Sequence, residues 1–257
     1  MARIRSLVVL STILLLSLPS PAKADGYDWT GFYAGVNSGV AVGDAKTDVT
    51  VPWAGPSGYF FFTSARSINS IGDRSIDDVG YTGGAQLGFD YQLGMLLAGL
   101  ETDFQYFHLN DSNRVNQVYP CCAPESYHIE NELNTSWLYT LRAKLGVAWD
   151  RFLVFGSGGL AVTDLEEHFR FNDNSGFARE KGTLKTAKPG WAAGAGLEYA
   201  LMDNVSVRAE YLHVEFGRES QRENTFHSLC CGPDPDRMKH SIDLQSEIGR
   251  IAVNYRF

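Results

Sequence analysis

Past its first two dozen residues the chain has no apolar run near the roughly 20 residues that a membrane-spanning helix needs, which excludes a helical membrane protein. It has no excess of positive charge: 22 Lys and Arg stand against 30 Asp and Glu, a net charge of −8. Non-specific nucleic-acid binding rests on neutralising phosphates with cations, so nucleic acid is not an expected partner. There is no phosphate-cradling glycine loop; the 26 glycines recur within strand-like patterns instead. Charged residues are only 20 % and aromatics reach 12 %, the reverse of a disordered chain. The 257 residues suit one large domain, and barrels often run this long as a single unit.

The N-terminus reads as an address. Arg3 and Arg5 precede an apolar stretch, Leu7 to Leu18, which is the length of a signal-peptide core and too short to span. Ala22-Lys23-Ala24 supplies the small-residue pattern of a cleavage site, so residues 1–24 are expected to be a signal peptide and 25–257 the mature domain. Losing Arg3, Arg5 and Lys23 would take the net charge from −8 to about −11. Export would also put the cysteines where disulfides persist.

The mature chain alternates in polarity. From Val79, one face carries Val79, Tyr81, Ala85, Leu87, Phe89 and Tyr91, and the other carries Thr82, Gly84, Gln86, Asp90 and Gln92. Period two over such a length predicts strands longer than those of most globular proteins. Eight such segments fall near 29–42, 78–92, 96–109, 135–149, 152–165, 186–200, 205–217 and 244–257. The connections after the second, fourth and sixth are tight (Leu93-Gly94-Met95, Asp150-Arg151, Met202-Asp203-Asn204). Those after the first, third, fifth and seventh are long and polar and read as loops. Short turns at one end and long connections at the other are the asymmetry of an outer-membrane barrel. The expected fold is all-β: an eight-stranded antiparallel up-and-down transmembrane β-barrel.

Which face is outside follows from cost. The polar faces carry charges of both signs: Glu101, Asp103, Arg142, Lys144, Glu198, Arg208, Glu210 and Arg250. An Arg or Lys at mid-bilayer costs about 2–4 kcal/mol. The charges are therefore placed inside, as a packed network in a lumen that eight strands leave just wide enough for side chains. The apolar faces, with Trp137 and Trp149 at strand ends, are placed against lipid.

The opening Asp28-Trp29-Thr30-Gly31-Phe32-Tyr33-Ala34-Gly35 resembles the first strand of the opacity-protein-like porin family, which includes outer-membrane immunogenic proteins of Gram-negative bacteria. Gly196-Leu197-Glu198-Tyr199-Ala200, Asp203-Asn204 and Arg208-Ala209-Glu210-Tyr211-Leu212 resemble its sixth and seventh strands, and Asn254-Tyr255-Arg256-Phe257 its last. The resemblance implies a barrel in the Gram-negative cell outer membrane, among membrane lipid and lipopolysaccharide, with Tyr255 and Phe257 as the signal read by the barrel-assembly machinery. It also implies a porin-like surface protein without catalysis or cofactor, whose loops are available to a host or envelope ligand, as adhesin or antigen. The loops depart from the family, so loop-borne roles do not transfer.

Those loops hold two vicinal cysteine pairs, Cys121-Cys122 and Cys230-Cys231. Pairing within a Cys-Cys unit makes a strained ring, so two bridges between the loops, or one bridge and a free pair, are expected. Joining positions about 110 residues apart would stabilise by roughly 4–5 kcal/mol in the chain-entropy model. A zinc or copper site with His128 and His227 is the alternative. The run Tyr59 to Phe62 in the first loop is expected to pack on a neighbouring loop, to extend a strand or to form a contact site. Three other functions are weighed: a narrow porin for small solutes or ions, haem capture by His128, His168, His227 or His240, and lipid A modification using His108 or His213 with Glu215 and a serine such as Ser112.

Overall fold

The computed structural model describes residues 26–51, 60–72, 74–175, 177–222 and 239–257. The expected leader, Tyr59, His227, Cys230 and Cys231 lie outside them, as does the side chain of His240. Eight strands close in chain order into one antiparallel barrel: β1 (Gly31–Thr50), β2 (Arg74–Leu93), β3 (Leu96–Val118), β4 (Ser126–Trp149), β5 (Phe152–Asp173), β6 (Arg179–Ala200), β7 (Val205–Arg222) and β8 (Lys239–Arg256). β1 pairs with both β2 and β8, so the wall has no free edge where it is closed. The tight connections fall where the sequence places them.

The long connections do not. Strands run to 24 residues, and the β3–β4 and β5–β6 connections shrink to 119–125 and 174–178. The expected loops after the third and fifth strands are mostly continuations of the strands. Alternation persists there, but the two faces exchange roles. In β4, Tyr127 and Ile129 point inward and are buried, whereas Glu130 faces out. An apolar-in, polar-out strand beyond the bilayer has the average polarity of a loop, which is why it reads as one.

The exchange happens at a rim marked by bulges. Register slips between Tyr106 and Leu109 on β3, between Asn134 and Leu138 on β4, and between Glu215 and Arg218 on β7. On β4 the slip moves the inward set from Arg142, Thr140 and Leu138 to Thr135, Leu133 and Ile129, as one inserted residue must. Gly217 takes φ +65° at the β7 bulge, a conformation that glycine adopts without steric cost.

Above the rim the ring divides. The β2–β3 ladder ends at Thr82↔Phe107 and the β6–β7 ladder at Trp191↔Glu215. Pro189, two residues beyond Trp191, has no N–H to offer a neighbour. Two four-stranded flaps result, β3–β4–β5–β6 and β7–β8–β1–β2. Between β1 and β2 the chain forms a helix the sequence reading missed, α1 (Phe62–Gly72). Its buried Ala65 and Ile68 pack with Phe60, Val49 and Val51 against Tyr119, Tyr127, Ile129, Phe169 and Phe171 of the first flap. Asn69 pins it to the end of β1, accepting from Val51 N at 2.7 Å and donating to Val51 O at 3.3 Å. Of the aromatic run, Phe60 is in this core and Phe61 is exposed.

Below the rim the outer wall is apolar between two aromatic belts. Phe32, Phe89, Trp149, Phe152 and Tyr255 line the lower end, and Tyr81, Phe104, Tyr106, Trp191 and Tyr211 the upper. Trp149 and Trp137 lie twelve positions apart on β4, about 40 Å along a strand at ~3.3 Å per residue and about 30 Å in height at a ~40° tilt. That spans the hydrocarbon of a bilayer.

Candidate functional site

The lumen is filled in layers. At the bottom, the segment before β1 folds across the opening. Trp29 is fully buried with Leu97, Ala148, Leu153, Phe155 and Ala200. Its indole Nε1 donates to Asp150 O at 3.2 Å and its backbone N to Gln92 Oε1 at 2.9 Å. Trp29, expected inside the first strand, is thus a floor.

Above this floor lies the ionic layer. Inward alternation brings all eight charges named from the sequence into one cluster, each at most 5 % exposed. Arg142 is its centre: Nη2 donates to Glu101 Oε1 at 2.7 Å and Asp103 Oδ2 at 2.9 Å, and Nη1 to Glu210 Oε1 at 2.5 Å. Arg208 bridges Glu101 at 2.5 Å and Glu198 at 2.8 Å, and Arg250 bridges Glu210 at 2.8 Å and Asp103 at 3.2 Å. Lys144 pairs with Asp90 at 2.8 Å, which also receives Arg256 at 3.0 Å. Asp90 and Arg256 were not picked out, although their positions are in phase with the polar faces of β2 and β8. With them the layer balances at five carboxylates and five cations. Hydroxyls complete it: Tyr33 donates to Glu101 at 2.5 Å, Thr140 to Asp103 at 2.6 Å and Ser206 to Glu198 at 2.5 Å. Gly159 lets β5 pass beside this layer; a Cβ there would lie 2.0 Å from Leu141 O and 2.7 Å from Arg142 Cα.

A third layer is apolar. Leu138, Ala161, Leu212, Val214 and Ile248 have no exposed area and pack with Phe107, Leu109, Leu165 and Phe216. Lys188 enters from β6 at the level of Thr163 and is itself engaged there. The α1 cluster caps the stack.

The remaining expected residues scatter. His108 and His213 stand on β3 and β7, opposite each other in an eight-stranded ring. His108 stacks on Tyr106 at 5.7 Å. His213 Nδ1 lies 2.7 Å from Glu247 Oε1, a partner on β8 and not Glu215; Tyr211 donates to the other oxygen of Glu247. Ser112 lies exposed on the upper part of β3, four residues along the strand from His108 and on a different strand from His213. Cys121 and Cys122 are bonded to each other, which corrects the expected bridge from this pair to the fourth connection. The tight turn keeps the two together: Tyr119 N donates to Glu125 O at 2.8 Å and Glu125 N to Cys122 O at 2.9 Å. Cys121 Sγ lies 3.3 Å from Ser64 Oγ of α1. His128 contacts Asn116 at 2.6 Å and His168 contacts Glu166 at 2.9 Å. Among the described residues no three His, Cys, Asp or Glu gather as a metal site.

The outer faces of the flaps carry ion pairs instead. Glu130 accepts from Arg114 at 2.6 Å and lies 3.6 Å from Arg170; Glu166 pairs with Lys185 at 2.6 Å. The hydrogen bond from Arg114 holds the Glu130 carboxyl below its ordinary range, and that from Lys185 does the same for Glu166.

Comparison with known proteins agrees with this architecture. The family described as outer membrane protein beta-barrel domain matches residues 10–257. The 31 kDa outer-membrane immunogenic protein of Brucella melitensis is 32 % identical over 246 residues, 94 % of this chain and 89 % of that protein. The 22 kDa outer membrane protein of Rhizobium leguminosarum bv. viciae is 26 % identical over 158 residues, 61 % of this chain and 63 % of that protein. Among solved structures, the outer membrane protein OprG from Pseudomonas aeruginosa is similar with a TM-score of 0.44 and 14 % identity, covering 90 % of this chain and 98 % of that one. With its closed eight-stranded ring, lipid-suited wall and family match over nearly its whole length, the chain belongs to the outer membrane β-barrel family and resides in the outer membrane of a Gram-negative bacterium.

Proposed function

We propose that the protein is a plugged, non-catalytic barrel that braces the outer membrane and holds two rigid flaps at the cell surface for contact with other molecules. The observation that carries this reading is the stacked filling of the lumen. Floor, ionic layer and apolar layer each contain side chains with essentially no accessible area, including Trp29, Arg142 and Leu138. A solute would have to separate five ion pairs' worth of balanced charge and then an apolar plug, and breaking one partner out of a buried pair alone costs about 3–5 kcal/mol. The flaps have a core of their own with α1, so they favour a defined surface over mobile loops. The exposed Phe61 and Phe177 at their tips suit a surface ligand. Display of this kind fits relatives whose names call them immunogenic, and Tyr255 and Phe257, exposed on the wall, suit the assembly signal expected of them. Purified protein in planar bilayers tests the reading. No stable conductance steps are expected; large, long-lived steps would replace it with the narrow porin.

A further inference from the structure

The outer wall is not evenly covered. The register places Val154, Leu197, Ala209, Ile251 and Ser38 in one row across β5, β6, β7, β8 and β1. Leu197 and Ile251 stand out on either side, and Ala209 between them reaches only one carbon from the backbone. In the next row toward the rim Gly156, Ala195 and Gly249 carry little or no side chain, and the exposed Tyr211 stands between Ala195 and Gly249 at the upper end. The result is a groove of about 610 Å³ on the hydrocarbon-facing wall, within the ~300–1,000 Å³ usual for a small-molecule site. Its lower edge is the aromatic belt at Trp149, Phe152 and Tyr199.

A cation stands in the turn just below that edge. Arg151 occupies the two-residue turn between Trp149 and Phe152. Its Nη1 donates to Ala200 O at 3.2 Å, next to groove-lining Tyr199, its Nη2 donates to the exposed Asp203 carboxylate at 3.2 Å, and its guanidinium carbon lies 5.9 Å from the Tyr27 ring centroid. More than a third of its side chain is exposed, and a guanidinium has five donors, of which these bonds use two. Depth and charge together select the occupant. The groove lies in hydrocarbon and opens toward the periplasmic interface, where a cation meets a phosphodiester headgroup.

We propose that this groove is a binding site for one phospholipid of the periplasmic leaflet, with an acyl chain seated over Ala209 between Leu197 and Ile251 and the phosphate on Arg151. Lipid A lies in the opposite leaflet and would meet the other end of the wall. A lipid held at both chain and phosphate is retained through detergent extraction.

The test is native mass spectrometry of full-length protein extracted from outer membranes in mild detergent, with the folded state checked by heat-modifiable gel mobility. The wild type is expected to carry one phospholipid. Ala209→Trp, which fills the groove from an exposed position, should reduce retention at least fivefold. Leu145→Trp, on the β4 wall and 68 % exposed, should leave it unchanged. Arg151→Gln should lower re-uptake of phosphatidylglycerol by delipidated protein severalfold. Ala209→Leu serves if the tryptophan variant does not reach the folded band. Wild type without phospholipid, retention of lipid A in its place, wild-type retention in the Ala209 variants, unchanged re-uptake by Arg151→Gln, or equal loss in Leu145→Trp would each overturn the site.

Discussion

Arg142 illustrates what a single residue does in this barrel. It has no exposed area and contacts three carboxylates, and its Nε reaches Thr140 Oγ1 at 3.1 Å. Arg142→Met keeps most of the volume and leaves Glu101, Asp103 and Glu210 with one cation too few. A loss of about 3–5 kcal/mol is expected, because the stranded charge is worse than no pair at all. The urea midpoint for loss of the compact gel band checks this; an unchanged midpoint would mean the layer contributes nothing to stability. Legibility differs residue by residue. Arg142 announced itself by its place in an alternating run. Asp90 and Arg256 carry the same phase but sit near strand ends, where alternation alone does not separate a lumen residue from one at the interface.

At the scale of the element, the flaps fold by rules opposite to those of the membrane segment. Outside the bilayer, burying an apolar side chain is driven by water, worth about 1.5–3 kcal/mol for a residue such as Ile or Phe. Ile68 of α1 is fully buried at the centre of that core. Ile68→Ala is expected to destabilise the α1 cluster by about 2–5 kcal/mol and leave the membrane ring intact. Hydrogen exchange should quicken in 119–129 and 169–178 while heat-modifiable mobility stays unchanged. The flap ion pairs set a pH dependence. Glu130 and Glu166 are depressed in the folded state, so their contribution is present above the unfolded carboxylate value of about 4.3 and fades as pH falls through their lowered folded values. Proteolysis of the flap hairpins should therefore accelerate at acid pH below 4 but not between pH 5 and 8. Acceleration in the neutral range would contradict a role for these two carboxylates.

For the whole molecule, the layers act in series. Floor, ionic layer, apolar layer and α1 cluster each close the same lumen, so opening one leaves three. Arg142→Met and Ile68→Ala are both expected to remain non-conducting in planar bilayers, even where each is measurably less stable. Conductance from either variant alone would show that a single layer is the seal. The division above the rim has the same global character. Two ladders stop at Thr82↔Phe107 and Trp191↔Glu215, on opposite sides of the ring, and the flaps they release meet across α1 and not through continuous sheet.

The number of strands, their order, the tight turns and the side of the wall that carries charge were all determined by the sequence, because period-two patterning and the cost of a charge in hydrocarbon are local properties that need no partner. The continuation of strands past the rim, the helix in the mouth, the floor made by Trp29 and the bond between Cys121 and Cys122 were decided only by the tertiary structure. Each depends on what lies across the lumen or across a turn. Tyr127 and Ile129 turn inward beyond the β4 register slip and are covered by α1, which in turn buries Ala65 and Ile68 against the flap.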